Sequence, residues 1–256
     1  MLVAVHPEPF VVLPSGIDWR SVEKQMRATL AETRDRLAPD ARIVVETDLS
    51  IPRALHRVVR REHRDLLVVG SSRHAPAGRV RIGKRTRQLL CQFECALAVA
   101  PRGLHEREEF RLARIGVGYD GGPESRAALE LAGSIAVAAG AALLVRAVID
   151  DRSPVSGFIA GVGALPPAWD EAVQAEAAAL SEQAKQAAQA TGANVQIEVL
   201  RGRPAERLLE VSAAVDLLVT GSRRWGAVER LMLGSTGEAL MHDASCPLLV
   251  VPRPHD

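Results

Sequence analysis

From Arg114 to Val251, short apolar runs alternate with longer stretches whose apolar positions recur at helical spacing. Ile115 to Tyr119 is apolar and closes on Asp120-Gly121-Gly122-Pro123. Glu124 to Ala139 then predicts an Ala/Leu-rich helix with the proline in its first turn. Ala142 to Val148 reads as a buried strand, and a Gly/Pro-rich loop from Asp150 to Pro167 leads to an Ala/Gln/Glu helix from Trp169 to Thr191. Asn194 to Leu200 alternates and is β-branched, the pattern of a third strand. A helix from Arg203 to Ala214, a strand from Asp216 to Thr220, a helix from Ser235 to Asp243 and a strand from Pro247 to Val251 complete the series. Strands alternating with helices predict a parallel sheet covered on both faces, with right-handed crossovers.

The same series is written earlier in the chain. Asp65 to Arg102 returns without a gap 151 positions downstream as Asp216 to Arg253, with Gly70 matching Gly221, Gly83 matching Gly234, Cys95 matching Cys246 and Pro101 matching Pro252. A period this long marks a duplicated domain rather than a solenoid unit. Upstream, Leu2 to Val5 aligns with the second strand, Ile17 to Leu37 with the long helix and Arg42 to Glu46 with the third strand. Pro52 to His63 then matches the next helix and Leu66 to Val69 the fourth strand. The first strand and first helix have no counterpart: either the chain as given starts at an internal methionine, or this half has shed the element at the centre of its partner's sheet. Losing a central strand leaves two ladder edges unpaired, at a cost of several kcal/mol (order of magnitude) unless something covers them. The expected organisation is an incomplete domain over residues 1–102, a linker from Gly103 to Arg111, and a complete domain over residues 112–256.

The totals fit that division. A chain of 256 residues that is 47% hydrophobic supports two cores of roughly 100 to 150 residues each. No apolar run reaches the ~18 residues that cross a bilayer, and the start lacks the basic region of a secretory signal, so the expected compartment is the cytoplasm, away from membranes. The net charge of +1 hides an imbalance: residues 1–102 hold 18 Lys+Arg against 11 Asp+Glu, or +7, and the remainder carries −6. The halves should attract each other. With aromatics at 3% and no extended basic tract, nucleic acid is not an expected partner. Cys91, Cys95 and Cys246 lack the paired spacing of a zinc site and read as reduced, buried small hydrophobes, with redox sensing the alternative. The seven histidines show no pairing at helical spacing that would predict a metal.

Open parallel sheets bind ligands beyond the carboxyl ends of their strands. Two segments of the second copy arrive there: Asp120-Gly121-Gly122 after the first strand, and Gly221-Ser222-Arg223-Arg224 after the fourth, leading to Gly234-Ser235-Thr236 at a helix start. Glycines let backbone amides approach a phosphate, and a helix N-terminus supplies unpaired N–H groups. The segments VGYDGGPESRAALELA and TGSRRWGAVERLMLGSTGEAL, the latter followed by CPLLVVPR, resemble the universal stress protein family in its tandem form, over essentially the whole chain.

The resemblance implies two tandem Rossmann-like α/β domains of the adenine nucleotide alpha hydrolase type. Each would be a parallel five-stranded sheet with helices on both faces, the first incomplete. It also implies an intrachain pseudo-dimer joined through the fifth strands, Ala96 to Ala100 and Pro247 to Val251, and a homodimer of chains. The implied ligand is ATP or AMP, with magnesium. Asp120 would meet the ribose or adenine side and Val148 the base, Gly221, Gly234, Ser235 and Thr236 would hold phosphates, and Gly121 and Thr220 complete the implied nucleotide-binding set. The family's motif is Gly, two residues, Gly, nine residues, Gly, then Ser or Thr; here Arg224 replaces the second glycine and could itself pair with a phosphate. In the first copy the spacing survives as Gly70, Arg73 and Gly83, but Lys84 replaces the hydroxyl residue and the Asp-bearing turn is missing, which implies a degenerate site.

Simpler readings stand beside these. Ser235 with Glu238 is also a capping box, Asp120-Gly121-Gly122 is also a turn, and Arg79, Arg81, Lys84, Arg85 and Arg87 read as a basic loop facing solvent or the acidic half. No nucleophile–base pair is evident, so the expected function is a non-enzymatic stress-response module. A ligand-free interaction protein and a slow nucleotide hydrolase that uses Asp120 are the alternatives.

Overall fold

The computed structural model describes residues 1–6, 19–83, 95–107, 109–150, 167–222 and 234–252. Packing divides them at Asp65, so that the described residues before it form one compact unit and those from Asp65 onward form another. Each unit is built from the strand–helix alternation that the apolar pattern predicts.

The first unit holds β1 (Leu2–His6), α1 (Trp19–Leu37), β2 (Ile43–Thr47) and α2 (Ile51–Arg61). β1 and β2 are parallel, from Leu2 opposite Ile43 to His6 opposite Thr47. The start of α2 is fixed by Ser50, whose hydroxyl accepts from the Arg53 amide, and by Pro52 in the first turn. Its buried stripe of Ala54, Val58 and Val59 faces inward. On its polar side the buried Asp48 carboxylate accepts hydrogen bonds from Arg53 at 2.6 Å, Arg57 at 3.0 Å and the Ser50 amide at 2.8 Å. The Arg53 guanidinium, the Ser50 amide and Arg57 hold this carboxyl well below the usual carboxylate range.

In the second unit, β3 (Leu66–Gly70) and β4 (Ala96–Ala100) come from the first copy. The complete copy supplies β5 (Arg114–Tyr119), α3 (Pro123–Ala139), β6 (Ala142–Ile149), α4 (Pro167–Gln189) and β7 (Asn194–Arg201), and after them α5 (Pro204–Ser212), β8 (Leu217–Gly221), α6 (Ser235–Asp243) and β9 (Leu248–Val251). One seven-stranded sheet runs β3-β4-β9-β8-β5-β6-β7. Every neighbouring pair in it is parallel except β4 and β9, which run antiparallel with Leu97 opposite Val250, Ala98 opposite Leu249 and Val99 opposite Leu248. The two copies are thus joined through their fifth strands, as the resemblance implies.

The expected boundary at residues 102–112 marks the sequence repeat, whereas the packing boundary lies at Asp65. The reason lies in β5. In the complete copy it carries a ladder on each side, to β8 and to β6, and so holds that copy's strands in one sheet. Among the described residues of the first copy no equivalent strand is present: β1 and β2 form a two-stranded sheet in the first unit, and β3 and β4 belong to the seven-stranded sheet of the second.

The core of this sheet is layered. On one face Ile115, Val117, Leu143 and Val145 pack with Ala128, Leu129 and Ala132 of α3 and with Ala184 and Ala188 of α4. On the other, Gly116 and Gly118 present no side chain, which lets Val211 and Leu208 of α5 approach closely. The loop after β3 packs against the end of α6: the Val80 amide donates to the Ala244 carbonyl, the Ile82 amide to the Met241 carbonyl, and the Arg79 guanidinium to the Asp243 carbonyl at 2.8 Å. Of the two readings for this basic loop, Arg79 thus takes the one that faces the acidic half. It satisfies carbonyls that the helix end would otherwise leave open.

Because Asp48 has a lower pKa folded than unfolded, its stabilisation is complete above the unfolded value near ~4 and is lost as pH falls below it. Asp48→Asn should remove that dependence: denaturant melts between pH 3 and 6 should show the parent losing stability on acidification of the first unit and the variant losing less.

Candidate functional site

At the carboxyl ends of β5, β6 and β8 a cleft of about 140 Å³ opens inside the second unit. That is roughly ten times the ~10–15 Å³ one water needs on the same measure. Gly118 and Leu208 line the cleft, and a Cβ on Gly118 would come within 3.0 Å of the Leu208 side chain. Its walls are the starts of three helices: Glu124 and Ser125 of α3, Pro204 of α5, and Thr236 and Gly237 of α6.

Each of these helices begins at a residue that supplies no side-chain cap: Gly122, Arg203 and Gly234. Their first helical backbone bonds run from Arg126 to Gly122, from Arg207 to Arg203 and from Glu238 to Gly234, so the amides before these have no helical carbonyl to bond. Three positive dipole ends meet at one cleft, an arrangement that favours an anion. The capping box at Ser235 does not form. Gly234 takes the extended cap position (φ −66, ψ 171), which makes Ser235 the first helical residue and leaves its hydroxyl without a capping bond.

Six of the residues expected from sequence line the cleft: Asp120, Val148, Thr220, Gly221, Gly234 and Thr236. Asp120 shapes its own turn by accepting the Gly122 amide at 3.0 Å, as the turn reading expects, and it also lines the cleft. Gly121 adopts φ +79, and a Cβ there would meet Gln183 and Leu180 of α4, away from the lining. Ser235 stands at the helix start without lining the cleft, and Arg224 lies outside the described residues. Gly221 has a reason of its own: a Cβ on it would come within 2.5 Å of the Glu124 backbone carbonyl carbon. The glycine therefore lets the start of α3 lie against the end of β8, which is what brings that helix's amides to the cleft.

In the first copy Gly70 ends β3 and Gly83 follows the loop, and a Cβ on either would meet nothing within 4 Å among the described residues. Arg73 is exposed, with its Nε on His74, and Lys84 lies outside the described residues.

Sequence reading missed Arg146. It interrupts the apolar strand β6, and alternation places it on the same face as Val148, where its 14% exposed side chain lines the cleft. Its Nε donates to Glu198 at 3.2 Å across the β6–β7 ladder, and its Nη1 to the Val145 carbonyl. A lone charge inside an otherwise apolar strand was the available signal. Buried arginine in a cleft leaves N–H donors for a bound acceptor. No His, Cys or Lys lines the cleft among the described residues. Cys246 is buried, and desolvation pushes its thiol up to about 12, so it is no nucleophile at neutral pH.

A mostly parallel sheet with a cleft beyond its carboxyl edge, walled by helix N-termini, defines an open-sheet α/β protein class. Within it, the model of the universal stress protein family matches residues 112–252, more than half of the chain, and the chain belongs to that family. It is 32% identical to a universal stress protein of Thermus aquaticus over 136 residues, covering 52% of this chain and 93% of that protein. Against a universal stress protein of Mycobacterium tuberculosis it is 26% identical over 220 residues, covering 85% and 72%. The crystal structure of a universal stress protein from Archaeoglobus fulgidus shares the fold at a TM-score of 0.64 and 19% identity, over 95% of this chain and 85% of that one. The likeness therefore reaches across both copies.

The two matched glycines should respond differently. Gly221→Ala is expected to lower stability by about 1–3 kcal/mol, because a backbone must move, whereas Gly70→Ala should stay within ~0.5 kcal/mol. Urea melts of the two variants check this.

Proposed function

We propose that this chain is a stress-response regulatory module of the cytoplasm whose second copy binds an adenine nucleotide, ATP or AMP, and that it works through conformation and partner contacts as a homodimer without dedicated catalysis. The observation that carries this reading is the meeting of three uncapped helix N-termini at one cleft on the carboxyl edge of the sheet. Phosphates would lie against Gly221, Gly234 and the first amides of α6. Because β6 is two strands away from β8 in the sheet, the base would reach Val148 and Pro204 and meet Arg146 below. Asp120 and Glu124 at the mouth are the carboxylates that would face magnesium carried in with ATP. Family membership supports the reading. The described residues of the first copy supply strand β4 to the joint between copies.

Titration of ATP and of AMP, with and without magnesium, should raise thermal stability, reaching roughly 2.7 kcal/mol at ~100 times the dissociation constant. Ser235→Pro provides the site-specific arm. Proline is favoured at the first helical position, and the extended Gly234 before it suits a proline, so the helix should persist while one amide donor is lost. Affinity should fall by about tenfold, the effect of one charge-assisted hydrogen bond. If neither nucleotide stabilises the protein, the ligand-free reading replaces this one. ATP turnover near ~1 s⁻¹ that is lost in Asp120→Ala would instead make it an enzyme.

A further inference from the structure

On the reading that the cleft holds a nucleotide, we propose that Arg146 is its base-specificity residue, the guanidinium donating to a ring nitrogen of the purine. Two ladders fix the place of this side chain. Arg146 of β6 stands opposite Gly118 of β5 on one side and Glu198 of β7 on the other. Because side chains alternate along a strand, the three share one face of the sheet, the one on which Leu208 of α5 lies, away from the layer of Ile115, Val117, Leu143 and Val145. β5 contributes no side chain to this row, so Arg146 reaches the cleft and lines it.

The strand does not need an arginine here. The rest of β6 is apolar, ALLV before it and AVI after it. The Arg146 side chain is 14% exposed, whereas Glu198, 3.2 Å from its Nε, is 57% exposed. An ion pair with one end in water contributes little, while the buried end loses hydration, so an apolar side chain of similar volume would serve the packing as well. What the arginine adds is donors. A guanidinium carries five N–H groups and no acceptor. The Nε–H goes to Glu198 and one Nη1–H to the Val145 carbonyl, which leaves three without an acceptor among the described residues. Around them Val148, Pro204 and Leu208 give an apolar lining that suits the faces of a base. The edge of that base toward β6 must then be an acceptor, because an amino group there would set donor against donor. In adenine the acceptors are the ring nitrogens N1, N3 and N7, so one of these would point at Arg146 and the exocyclic amino group would point away from it.

Calorimetric titration of ATP, and of three ATP analogues with C–H in place of N1, N3 or N7, reads this contact. One analogue should bind the parent protein at least about tenfold more weakly than ATP does, the loss expected for one hydrogen bond from a charged donor. Arg146→Met should weaken ATP by the same factor, leave the affinity for that analogue unchanged, and melt no lower than the parent. The analogues are compared on the parent alone, so that arm decides the matter even where the variant folds poorly. If ATP binds and all three analogues bind as tightly, or if Arg146→Met weakens ATP and every analogue alike, the proposal is overturned while the nucleotide reading stands. Failure of ATP to bind the parent would remove both.

Discussion

The two hydrogen-bond ladders of β5 are the constraint on which the rest of this protein depends. A parallel strand cannot hold its neighbours through a turn, because parallel partners are distant in sequence, so each junction relies on main-chain bonds and on the helices packed above and below. With β5 between β8 and β6, five strands of the second copy form one sheet and α3 covers its middle. Among the described residues of the first copy no such strand is present, and its strands lie in two pairs. One of these pairs joins the sheet of the second copy through the antiparallel contact of β4 with β9.

The cleft is a consequence of the same strand. Gly118 lines it, and the turn after β5 starts α3 with its amides toward the opening. Gly221 allows that start to lie close to β8. The far wall, α6, is held at its other end by the first copy, through Arg79, Val80 and Ile82. The loop that follows β3 is thus a structural support for the helix whose N-terminus walls the cleft.

Much of this was legible in sequence because the signals are local or repeated. Strand and helix order followed from apolar periodicity, the joint between copies from the family resemblance and the repeat, and the cleft from the rule that open sheets bind at their carboxyl edges. What escaped notice depends on long-range geometry. Arg146 becomes a site residue only when alternation and the cross-strand Glu198 turn it toward the cleft. Ser235 looked like a cap, but glycine can hold the cap position unaided and so frees the helix start. Gly70 and Gly221 hold matching positions of the repeat, yet among the described residues their surroundings differ, because α3, more than 80 residues before Gly221 in sequence, lies against Gly221. The division at Asp65 is a property of ladders, which no window of residues displays.

Native-state amide hydrogen exchange on the unliganded protein compares the two copies directly. If β5 is what closes the sheet, the amides of Leu217–Gly221 should exchange only through global unfolding, and alternate amides of Leu66–Gly70 should exchange through a far cheaper local opening. Equal protection of the two strands would contradict the account.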